Sequence, residues 1–164
     1  MKIGIITWFR YENYGTKLQA IALQNYLKEK GHDVQLIDFK LPEASKVFKK
    51  KHISLGTKIS RKINYIALQQ AQKKFKTQLA IRSYRLNQVI LEMCDITRTI
   101  DNDEQYINVC NQFDLIICGS DQIWNPNWYH PYYYADFTEI NAKKISYAPS
   151  IGIQQIPEEI KAYI

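Results

Sequence analysis

Residues 2–8, KIGIITW, form an unbroken apolar, β-branched run, the pattern of a parallel strand buried on both faces. A polar loop, FRYENYG, follows. The next block, TKLQAIALQNYLKEKG, spaces its apolar positions as a helix does. Leu18, Ile21, Ala22, Leu23, Tyr26 and Leu27 cover a wide arc, so this helix is expected to pack against a sheet. Asn13 or Thr16 is placed to cap its start, and Gly31 to take the position just past its end. DVQLIDF reads as a second strand. Strand, helix and strand within forty residues make a βαβ unit, with parallel strands and a right-handed crossover.

From Pro42 to about Met93 the pattern changes. Lys, Gln and Arg dominate, and apolar residues recur at helical spacing: Ile59, Ile63 and Ile66, then Leu68, Phe75, Leu79, Leu86, Val89 and Ile90. The stretch predicts helices with a break around SLGTK, forming either a lid-like insertion or a layer on the sheet. DNDEQYINVCNQ predicts a further short helix. FDLIICG reads as the third strand and KKISYAPSIG, residues 143–152, as the fourth. IPEEIKAYI opens a last helix, with Pro157 in its first turn and acids after it. The expected fold class is α/β. It is a Rossmann-like parallel sheet flanked by helices, one domain over residues 1–164, with a basic helical segment inserted at about 42–93. Because the chain stops inside its last predicted helix, a fragment of a longer protein is expected.

Charge sharpens this picture in one place. The net charge is +6, but residues 40–98 hold fourteen Lys or Arg against three acids and alone carry about +11. A solvated helical face accounts for this. A sharper reading is peripheral contact of residues 46–85 with an anionic membrane surface. Reversing the charges of Lys49, Lys50 and Lys51 is then expected to weaken cosedimentation with anionic lipid vesicles. Nucleic acid is not expected as a partner, since no recognised binding motif accompanies the charge. No apolar run approaches the ~18 residues of a membrane span, and the N-terminus lacks the marks of a signal peptide. Cys94, Cys110 and Cys118 are odd in number and lack CxxC spacing, which argues against a disulfide framework and against a metal site. A cytoplasmic protein, at most peripheral at the inner face of the membrane, is expected.

The candidate chemistry lies where the strands end. Ligands of open parallel α/β sheets bind in the crevice beyond the carboxyl ends of the strands. Here those ends run into RYENYGT, Asp38, GSDQIWNP and APSIG. Gly15 and Gly119 permit close approach of the backbone. Asn13, Ser120, Asp121, Gln122 and Asn125 supply hydrogen-bonding groups. Tyr14, Trp124 and Trp128 supply flat apolar faces that suit sugar rings. The set reads as a crevice for a polyhydroxylated ligand. Each residue also has a plainer role: Asp, Ser and Asn cap turns and helices, Asn13 above all, and Trp124 can be a packed core edge. No GxGxxG or GxxxxGK[ST] loop is present, although NYGT leading into a helix could receive an anion. His130, downstream of the crevice loop, is the histidine placed for general acid or base work. No carboxylate pair has a spacing that points to a glycosidase.

With these residues in view, the sequence resembles the polysaccharide pyruvyl transferase family. The resemblance rests on NYGTKLQAIALQNYLKEKGHDVQLIDF at 13–39, on FDLIICGSDQIWNP at 113–126, and on YYADF with KKISYAPSIG at 132–152. It implies a two-domain transferase of GT-B-like architecture, of which this chain is the N-terminal half. The activity implied is transfer of a pyruvyl group from phosphoenolpyruvate to two sugar hydroxyls, as a ketal in a cell-surface polysaccharide. The partners implied are phosphoenolpyruvate as donor and a saccharide acceptor, free or lipid-linked, with no metal or organic cofactor. Cationic groups for the donor are implied mainly in a C-terminal domain that this chain does not include. Asp121 would act as a base or as an acceptor orienting sugar hydroxyls. Gln122, Trp124 and Asn125 would shape the acceptor side, with Asn13, Tyr14 and Gly15 on the neighbouring loop and Tyr147 and Ser150 on the fourth strand's exit. Two alternatives stay open: a glycosyltransferase of similar architecture using a nucleotide sugar, and a non-catalytic binding or scaffold domain.

Overall fold

The computed structural model describes residues 1–40, 62, 65, 68–70, 72–126, 130–154, 156 and 161. Four short strands form one sheet: β1 (Lys2–Ile6), β2 (Asp33–Leu36), β3 (Leu115–Cys118) and β4 (Lys143–Ser146). All neighbours are parallel and the order is β2-β1-β3-β4. Helix α1 (Tyr14–Glu29) joins β1 to β2, while α2 (Lys76–Met93) and α3 (Asp103–Cys110) precede β3. This is the expected Rossmann-like α/β fold.

The pleat of β1 divides the core. Ile3 and Ile5 pack with Ala20, Ile21 and Leu23 of α1 and with Ile90 of α2. Ile6 belongs to the other cluster, with Tyr106 and Val109 of α3 and the tyrosines of a 3₁₀ turn at Pro131–Tyr134. Alternate residues thus feed opposite faces, as strand geometry requires. Gly4 faces the second cluster, where a Cβ would stand 2.7 Å from Ile37 Cδ1 and 2.9 Å from the Phe113 ring. Tyr106 and Tyr132 stack at 4.1 Å, and the Tyr106 hydroxyl donates to the Tyr132 carbonyl.

The buried face of α1 differs from the apolar arc read in the sequence. Leu18 and Tyr26 are exposed, while Lys17 and Gln24 are buried. Both buried side chains answer backbone groups that would otherwise lack partners. Gln24 Nε2 donates to the carbonyls of Val34 and Asp95, and its Oε1 accepts from the Asp95 amide. Lys17 Nζ donates to the Phe9 carbonyl and to Asn87 Oδ1. Burial lowers the Lys17 pKa, with Arg10 pushing the same way and Glu12 opposing.

Residues 95–100 run beside the end of β2, with bridges Leu36 to Ile96 and Phe39 to Ile100. They continue the sheet past β2, a feature the apolar pattern did not announce. Within the basic segment, α2 is a layer on the sheet: Leu86 and Ile90 are buried and Val89 is exposed. The SLGTK break and residues 41–61 lie outside the described residues, as does nearly all of the helix expected after Pro157. β4 is exposed along its whole length. No helix among the described residues is long and apolar enough to cross a membrane.

Connectivity fixes where a ligand crevice opens. From β1 the chain crosses by α1 to β2 on one side, then returns to β3 on the other side of β1. The strand order reverses between β1 and β3, and a crevice forms at the carboxyl ends of such a pair.

Candidate functional site

Three segments meet at that reversal: Thr7 at the exit of β1, the first turns of α1, and Gly119 to Asp121 at the exit of β3. The Thr7 hydroxyl donates to the Ser120 carbonyl at 3.0 Å and accepts from Gln19 Nε2 at 2.9 Å. Gln19 Nε2 also reaches the Thr16 and Trp8 carbonyls, and its Oε1 accepts from the Ser120 hydroxyl at 2.5 Å. One glutamine thus ties both strand exits to the helix.

Asp121 sits at the centre. Its backbone has φ 76°, a left-handed conformation that Asp tolerates better than most residues. Its carbonyl accepts from the Ser150 amide at 2.8 Å, which binds the exit of β3 to that of β4. The Thr16 hydroxyl donates to Asp121 Oδ2 at 3.0 Å, and the Gln122 amide donates to Oδ1 at 2.8 Å. A carboxylate has about four lone-pair sites, so two donors hold this one in place and leave acceptor capacity. Gln122 is exposed; Asn125 is buried and donates to Gln122 Oε1 at 3.3 Å. Gly152 lies over this amide pair, where a Cβ would stand 2.6 Å from Gln122 Oε1 and 2.8 Å from Asn125 Nδ2.

The other sequence candidates divide. Asn13 caps α1, accepting from the Thr16 amide at 3.3 Å. Gly15 follows in the first turn of α1. Tyr14 is exposed, with the Arg82 guanidinium 5.1 Å from its ring centroid. Tyr147 and Ser150 are exposed at the exit of β4. The Trp124 ring stacks on Tyr134 at 5.4 Å, and its Nε1 donates to the Tyr133 carbonyl, so one face is already covered. Trp128 lies outside the described residues.

His130 caps the 3₁₀ turn: its Nδ1 accepts from the Tyr132 amide at 3.3 Å, and its ring meets Tyr132 edge-on. The contacts that bind the Asp121 cluster together do not include it. Burial lowers its pKa, and the neighbouring Asp103 only partly offsets this. The unfolded chain therefore takes up the proton first on acidification. The His130 contribution to stability is present above about pH 6.5 and is lost as pH falls through the lower folded value. Urea midpoints should accordingly fall more steeply with acidification in the native protein than in His130→Asn, which keeps a capping oxygen and does not titrate.

A second feature lies beside the first. Asp38, just past β2, is 2 % exposed and paired with Arg10. Arg10 Nε donates to Oδ1 at 2.8 Å and Nη2 to Oδ2, which also accepts from the Thr99 hydroxyl. The pairing raises the Arg10 pKa. Around it opens a cleft of about 280 Å³ between Thr7–Tyr11, Ile37–Phe39 and Tyr133. Sequence reasoning missed Thr7, Gln19 and Arg10, and saw Thr16 only as a cap. Their position just after a strand, or one turn into the following helix, was the available signal.

The family model described as polysaccharide pyruvyl transferase matches residues 13–164, all but the first twelve residues of the chain. No curated protein and no solved structure matches significantly. The match opens on the residue that caps α1 and takes in the whole Asp121 loop, with the β4 exit that holds it. By that span, the chain belongs to the polysaccharide pyruvyl transferase family.

Proposed function

We propose that this chain builds the acceptor side of a pyruvyl transfer site. There the enolpyruvyl unit of phosphoenolpyruvate is joined, as a cyclic ketal, to two hydroxyls of a sugar destined for cell-surface polysaccharide. The observation that carries this reading is the charge of the cluster at the β1–β3 reversal. Thr7, Thr16 and Asn125 are buried and, with Gln19 and Ser120, form a neutral brace beneath exposed Gln122 and the half-buried Asp121, which alone in the cluster is acidic. Such a surface attracts hydroxyls and repels an anionic donor.

In the reaction the donor's methylene carbon gains a proton and becomes the methyl group. One sugar hydroxyl attacks the adjacent carbon and loses its proton. The second hydroxyl attacks the same carbon as the C–O bond to phosphate breaks; its proton passes to the departing phosphate, which leaves as inorganic phosphate. Asp121, oriented by Thr16 and the Gln122 amide, takes the proton of an attacking hydroxyl. Gln122, braced by buried Asn125, orients the neighbouring hydroxyls. His130 keeps its capping role. The donor's phosphate and carboxylate are received by cations outside this cluster.

Asp38 weighs against a nucleotide-sugar reaction. A carboxylate after the second strand of a dinucleotide-binding fold receives ribose hydroxyls. Here Asp38 is buried, and its oxygens accept from Arg10 and Thr99. A cytoplasmic donor and a lipid-linked acceptor would suit contact of residues 46–85 with the membrane. The reading is tested by following inorganic phosphate release from phosphoenolpyruvate as candidate saccharides are added. Saccharide-dependent release with ketal formation supports it. Turnover of a nucleotide sugar without turnover of phosphoenolpyruvate refutes it.

A further inference from the structure

The Arg10 cleft has its own ligand chemistry. Trp8 and Tyr11 meet edge to face at 5.4 Å, and Trp8 and Tyr133 at 6.1 Å. Tyr133 is buried, and Tyr11 is half exposed at the rim. The guanidinium is held by Asp38 through Nε and Nη2 and lies 5.3 Å from the Phe9 ring centroid. Among the described residues its Nη1 makes no hydrogen bond. It is therefore a fixed donor at the edge of an aromatic cleft, and its charge is balanced by the carboxylate beside it. Among the described residues, no other charged side chain lines the space. An aromatic wall with a fixed donor and no net charge suits a ligand with an apolar face, hydroxyl edges and no charge. The volume, about 280 Å³, lies just below the roughly 300–1,000 Å³ typical of small-molecule sites, room for a single ring.

We infer that this cleft is a subsite for a neutral hexopyranose ring of the acceptor. The ring's C–H face packs against Trp8 and Tyr11, and its hydroxyls accept from Arg10 Nη1. Thr7 is the wall shared with the Asp121 cluster, since it lines the cleft and also donates to the Ser120 carbonyl. A saccharide seated here therefore enters beside the carboxylate that takes its proton. The assignment rests on the pyruvyl transfer reading for the word acceptor, but the binding itself does not.

The test is ¹H–¹⁵N NMR of the chain, following the Trp8 indole, assigned through Trp8→Phe. Methyl hexopyranosides of gluco, galacto and manno configuration are titrated, alongside methyl glucuronide and phosphoenolpyruvate. At least one neutral glycoside should shift the Trp8 indole and bind more tightly than the glucuronide. Tyr11→Ala should weaken that binding by about fivefold or more, as loss of one aromatic face does. Arg10→Lys, which keeps a cation for Asp38 but removes the planar fork, should weaken it as well. In the transfer assay Tyr11→Ala should raise KM for the saccharide with little change in kcat. The inference is overturned if all three neutral glycosides leave Trp8 unmoved up to about 100 mM, if the glucuronide or phosphoenolpyruvate binds more tightly than every neutral glycoside, or if both variants keep full binding. Glycoside binding at Trp8 without any pyruvyl transfer would leave the cleft standing and remove the transfer reading. Transfer with an unchanged KM in Tyr11→Ala would do the reverse.

Discussion

Gly119→Ala is expected to destabilise the protein by about 3 kcal/mol or more. Gly119 has φ 124°, a conformation that L side chains rarely adopt. An added Cβ would stand 2.1 Å from the Tyr147 carbonyl oxygen and 3.0 Å from its carbon. These are backbone atoms and cannot rotate aside as a side chain can. Neither partner can yield cheaply. The Gly119 amide donates to the Ile6 carbonyl at 2.9 Å, and the Tyr147 amide donates to the Cys118 carbonyl at 3.0 Å. Relief would part β3 from β1 or from β4. Gly31 supplies the control: its φ is 82°, and nothing lies within 4 Å of its added Cβ. Gly31→Ala should cost only the conformational term, about 1 kcal/mol. Urea unfolding followed by circular dichroism measures both. Equal midpoints for the two variants would mean that the β3 and β4 exits are not held as closely as the contact requires.

The same crossing shows why parts of this protein were legible in its sequence. β1 and β3 announce themselves because strand stretches covered on both faces must be apolar, and IGII, after exposed Lys2, and LIIC are. The rule that ligands gather at carboxyl ends of strands points, from sequence alone, to Ser120 and Asp121 as candidates, and the fold has them at the exit of β3. It could not show which distant side chains would meet them. Gln19 lies 101 residues from Ser120, and on a helical wheel it reads as an ordinary polar position. Arg10 and Asp38 pair across 28 residues, and residues 95–100 join the sheet by backbone contacts that leave no periodic mark. Lys17 and Gln24 hid the true inner face of α1, since their burial depends on carbonyls supplied by other segments. Trp124 presented a flat ring to the reader of the sequence, but in the fold Tyr134 covers one side of it.

Asp121→Asn is expected to lower turnover at least tenfold, with the fold intact and KM for the saccharide little changed. A general base contributes about 10²–10⁴ in rate, so tenfold is a conservative floor. The substitution suits the site because it changes little else. Asn tolerates φ 76° as Asp does, so the β3 exit keeps its path and the carbonyl still accepts from Ser150. The Asn oxygen can keep the bond from the Gln122 amide. The Thr16 hydroxyl can turn to accept from the new NH₂ rather than donate to Oδ2. What is lost is the negative charge and the capacity to take a proton from an attacking hydroxyl. A structural role and a chemical role thus predict different results. If Asp121 only holds the turn, Asn serves equally well, and both turnover and urea midpoint stay at wild-type values. If it acts on the sugar hydroxyl, the midpoint stays and kcat falls. Turnover at the wild-type level in Asp121→Asn would leave the carboxylate as a turn residue satisfied by Thr16 and Gln122, and the base for the reaction would have to come from another segment.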